Sequence, residues 1–192
     1  MTFASNTLRH ARLATRLSQR ALARATLVDQ SVIAVIERGR RDPSSDLLAR
    51  LLAGAGYTLV PVPVTAPLPA TFVDEIRDHL RRGDDNRAFR AFLSLNDSLT
   101  RLAAGVHVAV TLADPGTTGS SQYDALIGGL VEHHLSSKSL PTPSWISDPT
   151  RSLGEPWFVD DSTYARAHDR ATTPAAFAHR NVYLSAAELV AA

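Results

Sequence analysis

Gln30 and Ser31, followed by Ala34 and Val35 and then by Arg38, Arg40 and Arg41, are the residues whose types and spacing point to a chemistry. A glutamine amide carries a donor and an acceptor side by side, which matches adenine N6 and N7 in the major groove of DNA. A serine hydroxyl serves several base edges. Ala34, one helical turn on, lets a helix approach closely, while Val35 touches either thymine methyls or only the groove wall. Guanidinium groups that follow such a helix grip phosphates, which positions a protein without reading sequence. Gln19 falls at the start of the preceding helix, where its amide and a free backbone N–H both suit a phosphate.

No competing chemistry gathers elsewhere. Glu132-His133-His134 has no metal spacing, because adjacent histidines point to different helix faces, so packed or solvated histidines are expected there. Asp160–Asp161 reads as a solvated loop pair. PGTTGSS at 115–121 contains glycine but lacks the lysine of a phosphate loop. With neither GxSxG nor HExxH, no nucleophile–base pair can be assigned, and a non-enzyme is expected. Cysteine is absent, which excludes disulfides and thiolate ligands. No metal and no cofactor is expected. Trp145, Trp157 and Phe158 read as core anchors.

The elements that position these residues lie in 17–39, LSQRALARATLVDQSVIAVIERG, two short helices joined by a tight turn, the arrangement of a helix-turn-helix. A first helix is predicted over about 6–15, with Ser5 or Asn6 as N-cap and Leu8, Ala11 and Leu13 inward. Ser18 caps the second, which buries Leu22 and Ala23, and Asp29 caps the third, which buries Val32, Ile33 and Ile36. Ser44 or Ser45 caps a fourth helix with an apolar stripe of Leu47, Leu48, Leu51 and Leu52. Gly56 stands where a left-handed C-terminal cap is expected.

Charge separates this head from the rest. Residues 1–60 carry nine arginines against four acids, a net of +5, whereas the remainder carries −4 within a chain of +1. A basic module on an acidic body fits a phosphate-binding head with a differently employed tail. No apolar run reaches membrane-spanning length and the N-terminus lacks a signal-peptide core, so a cytoplasmic, nucleoid-associated protein without membrane partners is expected.

Residues 58–64, TLVPVPV, form either an edge strand needing one partner or a polyproline-like linker, since Pro61 and Pro63 cripple one hydrogen-bonding edge. The predicted organisation is a DNA-binding domain over 1–60, an edge strand and linker over 61–70, and a helical domain over 71–192. Within the last, helices are predicted over 71–83, striped by Phe72, Ile76 and Leu80, and over 84–105, with Phe89, Leu93 and Leu99. VHVAVTL at 106–112 alternates like a strand, though a helix tail fits too. An amphipathic helix over 121–138 follows in spite of Gly128–Gly129. Residues 140–156 suggest irregular packed structure, and the end a short helix, an extended piece and a helix capped by Ser185. The fold class is mainly α.

Residues 6–60 resemble the lambda-repressor-like (Xre/Cro-CI) DNA-binding domain. The match rests on L-R-x-A-R at 8–12, L-S-Q at 17–19, L-A at 22–23, Val28, Q-S at 30–31, Ile33, I-E-R-G at 36–39, Pro43 and L-x-x-L-L in the fourth helix. The resemblance implies that Arg12 and Glu37 form a structural ion pair beneath the recognition helix. The sequence departs from it at Arg16 and Leu27, where the family usually has glycine and where a positive φ can be required, and at Val35, where a long polar residue is common. The whole chain is also similar to actinobacterial regulators encoded beside nucleotidyltransferase-like (AbiE-type) toxins. That similarity implies an antitoxin whose head represses the shared operon while its tail engages the cognate toxin. A tail that binds a small-molecule effector is the alternative. Either way the expected partners are double-stranded operator DNA and a second copy of the chain, joined through 58–64 or the C-terminal helices.

Overall fold

The structure is a computed structural model and describes residues 3–64 and 67–190; Thr65 and Ala66 of the expected linker lie outside the described residues. The chain divides into two compact units, residues 1–62 and 63–192. Among the described residues it is mainly helical, with one two-stranded sheet.

The N-terminal unit holds α1 (Phe3–Ala14), α2 (Gln19–Thr26), α3 (Gln30–Glu37) and α4 (Ser45–Gly54). Short polar side chains start three of them by accepting an otherwise orphaned N–H. Ser18 Oγ accepts from Ala21 at 3.0 Å, Asp29 Oδ1 from Ser31 at 2.7 Å, and Ser44 Oγ from Leu47 at 3.3 Å. The expected cap at Ser5 or Asn6 is corrected: α1 already begins at Phe3, and Ser5 is buried inside it. Leu13 is also corrected, being 53% exposed. It lies about 200° around the helix from Ala11, away from the face that buries Leu8 and Ala11.

The core of this unit is Leu8, Ala11, Leu22, Val28, Ile33, Ile36, Leu48, Leu51, Leu52 and Ala55. Gly54 lets α4 close on α2, since a Cβ there would stand 2.2 Å from Thr26 Cγ2. Gly56, at φ +79°, supplies the left-handed cap that ends α4, with Tyr57 N–H returning to Leu52 O at 2.9 Å. Residues 57–64 then run without secondary structure. A strand needs a partner, and among the described residues none pairs with the edge that Pro61 and Pro63 leave intact.

The C-terminal unit begins with a helical hairpin, α5 (Pro69–Arg81) and α6 (Asp85–Thr100), followed by α7 (Ala104–Thr111) and α8 (Ser121–Ser137). The alternating 106–112 segment is helical. Its two buried residues, His107 and Thr111, are four apart, which is a helix face and not a strand face. The expected amphipathic character of α8 is corrected as well: Tyr123 to Val131, His134 and Leu135 are all buried, so α8 is a central helix with hardly any solvent face. Its glycine pair is explained by close approach. A Cβ on Gly129 would meet Phe177 Cδ1 at 2.5 Å, and one on Gly128 would meet Arg151 Cβ at 3.2 Å. Each glycine costs the helix about 1 kcal/mol relative to alanine, offset at Gly129 by full burial of Phe177.

Two 3-10 turns, Ser144–Ser147 and Pro149–Arg151, lead to β1 (Trp157–Phe158). Then come α9 (Thr163–Thr172), α10 (Ala175–Ala178), β2 (Val182–Tyr183) and a 3-10 turn at Ala186–Leu189. The strands pair in parallel, Trp157 with Val182 and Phe158 with Tyr183. Trp145 is a buried anchor whose Nε1 donates to Thr111 O at 2.9 Å. Trp157 is half-buried and packs against the core, whereas Phe158, also half-buried, stacks on Tyr183 outside it, which corrects the expected place of Phe158.

Polar groups pin the segments to α8. Asp124 accepts from Thr118 N at 2.7 Å and Thr118 Oγ1 at 2.8 Å, clasping the DPGTTGSS loop. Glu132 accepts from the buried Arg180 at 2.6 Å. His134 Nε2 lies 2.9 Å from Asn96 Oδ1, and Asn96 Nδ2 donates to Leu189 O at 3.0 Å. Among the described residues no group of three or more His, Cys, Asp or Glu is placed to hold a metal.

Candidate nucleic-acid interface

Two side-chain caps, Ser18 and Asp29, and one ion-pair cluster orient α2 and α3. Arg12, on α1, donates from Nε to Glu37 Oε1 at 2.6 Å, from Nη2 to Glu37 Oε2 at 2.9 Å, and from Nη1 to Leu17 O at 2.8 Å. The guanidinium therefore ties the end of α3 to the turn that launches α2. The side chains of Arg12 and Glu37 are only 11% and 5% exposed, so the pair is shielded from water. The Glu37 hydrogen bonds hold Arg12 above its ordinary pKa, so its charge is permanent.

Gln19 completes the cluster, its Nε2 donating to Glu37 Oε2 at 2.8 Å. Its side chain is thus committed inward, a role that sequence reasoning did not assign. The signal for it was the shared register: Gln19 starts α2 directly beyond Leu17, whose carbonyl Arg12 also holds. The Gln19 backbone N–H, at the first position of α2, has no acceptor within the helix and stays suited to an anion.

Gln30 and Ser31 are exposed at the N-terminal end of α3, and Asp29 holds that end in place by accepting from Ser31 N–H. The Ser31 side chain first, and its backbone N–H second, keep the Asp29 carboxyl below its ordinary pKa, so the cap stays ionised. Ala34 and Val35, one turn on, are half-buried. Arg38 is exposed, yet its Nε folds back to Ala34 O at 2.9 Å, which satisfies a carbonyl at the end of α3. Arg40 and Arg41 are exposed in the turn that follows. Arg9, Arg20, Arg24 and Arg50 are exposed as well, and the charge count alone announced them.

The turns on either side of α2 are strained. Arg16 has φ +56° and Leu27 φ +55°, the left-handed region at both positions where glycine is the usual residue. Residues 5–63 match the helix-turn-helix domain family. No curated protein and no solved structure matches the chain. The helix-turn-helix domain is a DNA-binding module, and the chain that carries it reads as a DNA-binding regulator. Among the described residues no helix is long and apolar enough to cross a membrane.

Within the domain, Leu27 carries its strain for no packing return, since it is 91% exposed. Leu27→Gly is expected to raise the domain's stability by about 1 kcal/mol, through relief of the left-handed penalty less the extra unfolded-state entropy of glycine. Urea denaturation of the two proteins checks this; equal midpoints would mean that the turn relaxes without cost.

Proposed function

We propose that the protein is a transcriptional repressor that binds a palindromic operator as a homodimer, with α3 in the major groove. The observation that carries this is the exposure of Gln30 and Ser31 at the N-terminal end of a helix whose far end is followed by Arg38, Arg40 and Arg41, all exposed. Gln30 and Ser31 read base edges, and Ala34 and Val35 line the groove wall. Arg38, Arg40 and Arg41 hold the phosphates, together with the N-terminal N–H groups of α2 at Gln19. No cofactor is needed for this chemistry. The apolar residues Leu59, Val60 and Val62, which are exposed, give a second copy an edge to pair with, so the 58–64 segment is the proposed dimer contact. The domains then divide as a DNA-binding head over 1–60, a linker over 61–70 and a partner-binding tail over 71–192. The acidic balance of the tail and the whole-chain likeness noted above support an antitoxin that engages a toxin and represses its own operon.

Operator binding tests this proposal, with sites selected from a random duplex pool and measured over a salt series. Gln30→Ala is expected to cut discrimination at one base position by about 1–3 kcal/mol. Arg41→Ala should weaken binding to all sequences alike and lower the salt slope by about one. Unchanged discrimination in Gln30→Ala would remove α3 from the role of reading helix. Co-expression with the product of the neighbouring gene tests the antitoxin part, a complex retained by residues 71–192 being the supporting result.

A further inference from the structure

α9 is built unlike the other long helices of the C-terminal unit. Its buried residue is Asp169, 3% exposed, where a packed helix would bury a leucine or valine. Tyr164, on the same helix, is 85% exposed. Its C-cap is tied down by Thr173, whose Oγ1 donates to Leu184 O at 2.9 Å and accepts from Leu184 N–H at 3.1 Å, and the body of the helix is held by guanidinium–aromatic contacts. Arg170 lies over Phe158 at 5.3 Å and over Tyr183 at 5.6 Å, and Arg166 lies over Phe158 at 5.4 Å. These two rings, one from each strand, stack at 4.8 Å and 18°. Such contacts are individually weak where water reaches them.

Opposing them is uncompensated charge. The Asp169 carboxylate receives no hydrogen bond from any described residue. It is repelled by Asp160, which precedes α9, and by Glu188, in the last 3-10 turn, while His168 alone attracts it. Glu188 Oε2 is itself buried without a partner. The remaining charges near α9 are spoken for: Arg166 pairs with Asp161, and Arg170 sits on the rings, with Tyr183 the titratable group on β2.

We propose that α9 is a releasable cover over the Phe158–Tyr183 pair, closed by Arg166 and Arg170 and opened by the unpaired burial of Asp169 beside Asp160 and Glu188. Release uncovers two stacked rings on the face of the small sheet while the α8-centred core stays folded. Burial raises the Asp169 and Glu188 carboxyls above their ordinary pKa, so the closed form favours bound protons. Closure is therefore tightest in acid and weakens as pH rises through the raised values.

Hydrogen exchange of the full-length chain, read by mass spectrometry peptide by peptide, tests the cover. At neutral pH the α9 peptides are expected to exchange about a hundredfold faster than those of α8, through local opening. Asp169→Asn and Asp169→Leu should each slow α9 exchange about tenfold, since each removes the unpaired charge. Arg166→Ala with Arg170→Ala should speed it by a similar factor. After correction for the intrinsic rate, α9 in the wild-type chain should be better protected at lower pH. Exchange of α9 in step with α8, or faster exchange in both Asp169 variants, overturns the proposal, the latter by making Asp169 an anchor. The arginine variants retain that test should an Asp169 variant fail to fold.

Discussion

Glu37→Ala is expected to destabilise the N-terminal unit by about 3–5 kcal/mol, because it leaves the Arg12 guanidinium shielded from water with two of its donors unmet. A domain of this size is stable by only about 3–9 kcal/mol, so the variant stands at the edge of unfolding. The effect is cooperative in origin. Glu37 takes three hydrogen bonds, two from Arg12 and one from Gln19, and Arg12 also holds the Leu17 carbonyl. Removing the carboxylate thus loosens α1, the α1–α2 turn and the end of α3 together. Urea denaturation followed by signals from residues 3–62 provides the measurement. Glu37→Gln, which keeps the packing and one acceptor, should lose roughly half as much. A loss below about 1 kcal/mol in Glu37→Ala would show the pair to be screened like a surface ion pair. Gln19→Ala, expected to cost only about 1 kcal/mol, removes the hydrogen bond to Glu37 but keeps the backbone N–H that faces a phosphate. Operator affinity should therefore fall no further than stability does, and a larger fall would mean that the side chain itself reaches the DNA.

The helix-turn-helix was legible because each of its physical requirements leaves a local mark. Ser18, Asp29 and Ser44 announce helix starts, Gly56 announces a stop, and Ile33, Ile36, Leu48 and Leu51 repeat at helical spacing. Arg16 and Leu27 were legible as departures from glycine, and both take up the positive φ that such positions can demand. Leu13 was misplaced because apolarity alone does not say which side of a helix faces the core. The C-terminal unit was harder to read where tertiary contacts override local pattern. α8 accommodates two glycines because Phe177 and Arg151 press on it from residues far along the chain. The 106–112 alternation of valines resembled a strand, yet His107 and Thr111 are what it buries. α9 escaped notice because it has no apolar stripe to detect, only a cap at Ser162 and cations facing rings. The parallel pairing of two-residue strands leaves no periodicity at all.

Acid is expected to destabilise the C-terminal unit by about 4 kcal/mol between pH 7 and pH 5, and two buried histidines account for it. Burial holds the His134 pKa down to about 3, with His107, His133 and Lys138 adding repulsion, and burial with Lys138 holds His107 down to about 4. Geometry requires the neutral forms. Asn96 spends its amide N–H on Leu189, so its Oδ1 accepts from His134 Nε2–H. His107 Nδ1, 3.1 Å from Lys138 Nζ, accepts from that ammonium, and a proton there would set two cations against each other. In the unfolded chain both residues titrate near 6.5, so below that pH the unfolded state binds protons that the folded state refuses. Stability is therefore full above about pH 6.5 and falls as pH drops toward the folded values, by about 2 kcal/mol per histidine at pH 5. Urea denaturation at pH 7 and pH 5 measures the loss. His134→Gln, whose amide can still donate to Asn96, should lose only about half as much over the same interval. Asp169 and Glu188 act in the opposite sense, gaining protons on folding, but they are common to both proteins and cancel in the comparison. If His134→Gln is as acid-sensitive as the wild type, the titrating group lies elsewhere. If neither protein weakens by pH 5, the two imidazoles accept protons without unfolding, which the Asn96 and Lys138 contacts do not allow.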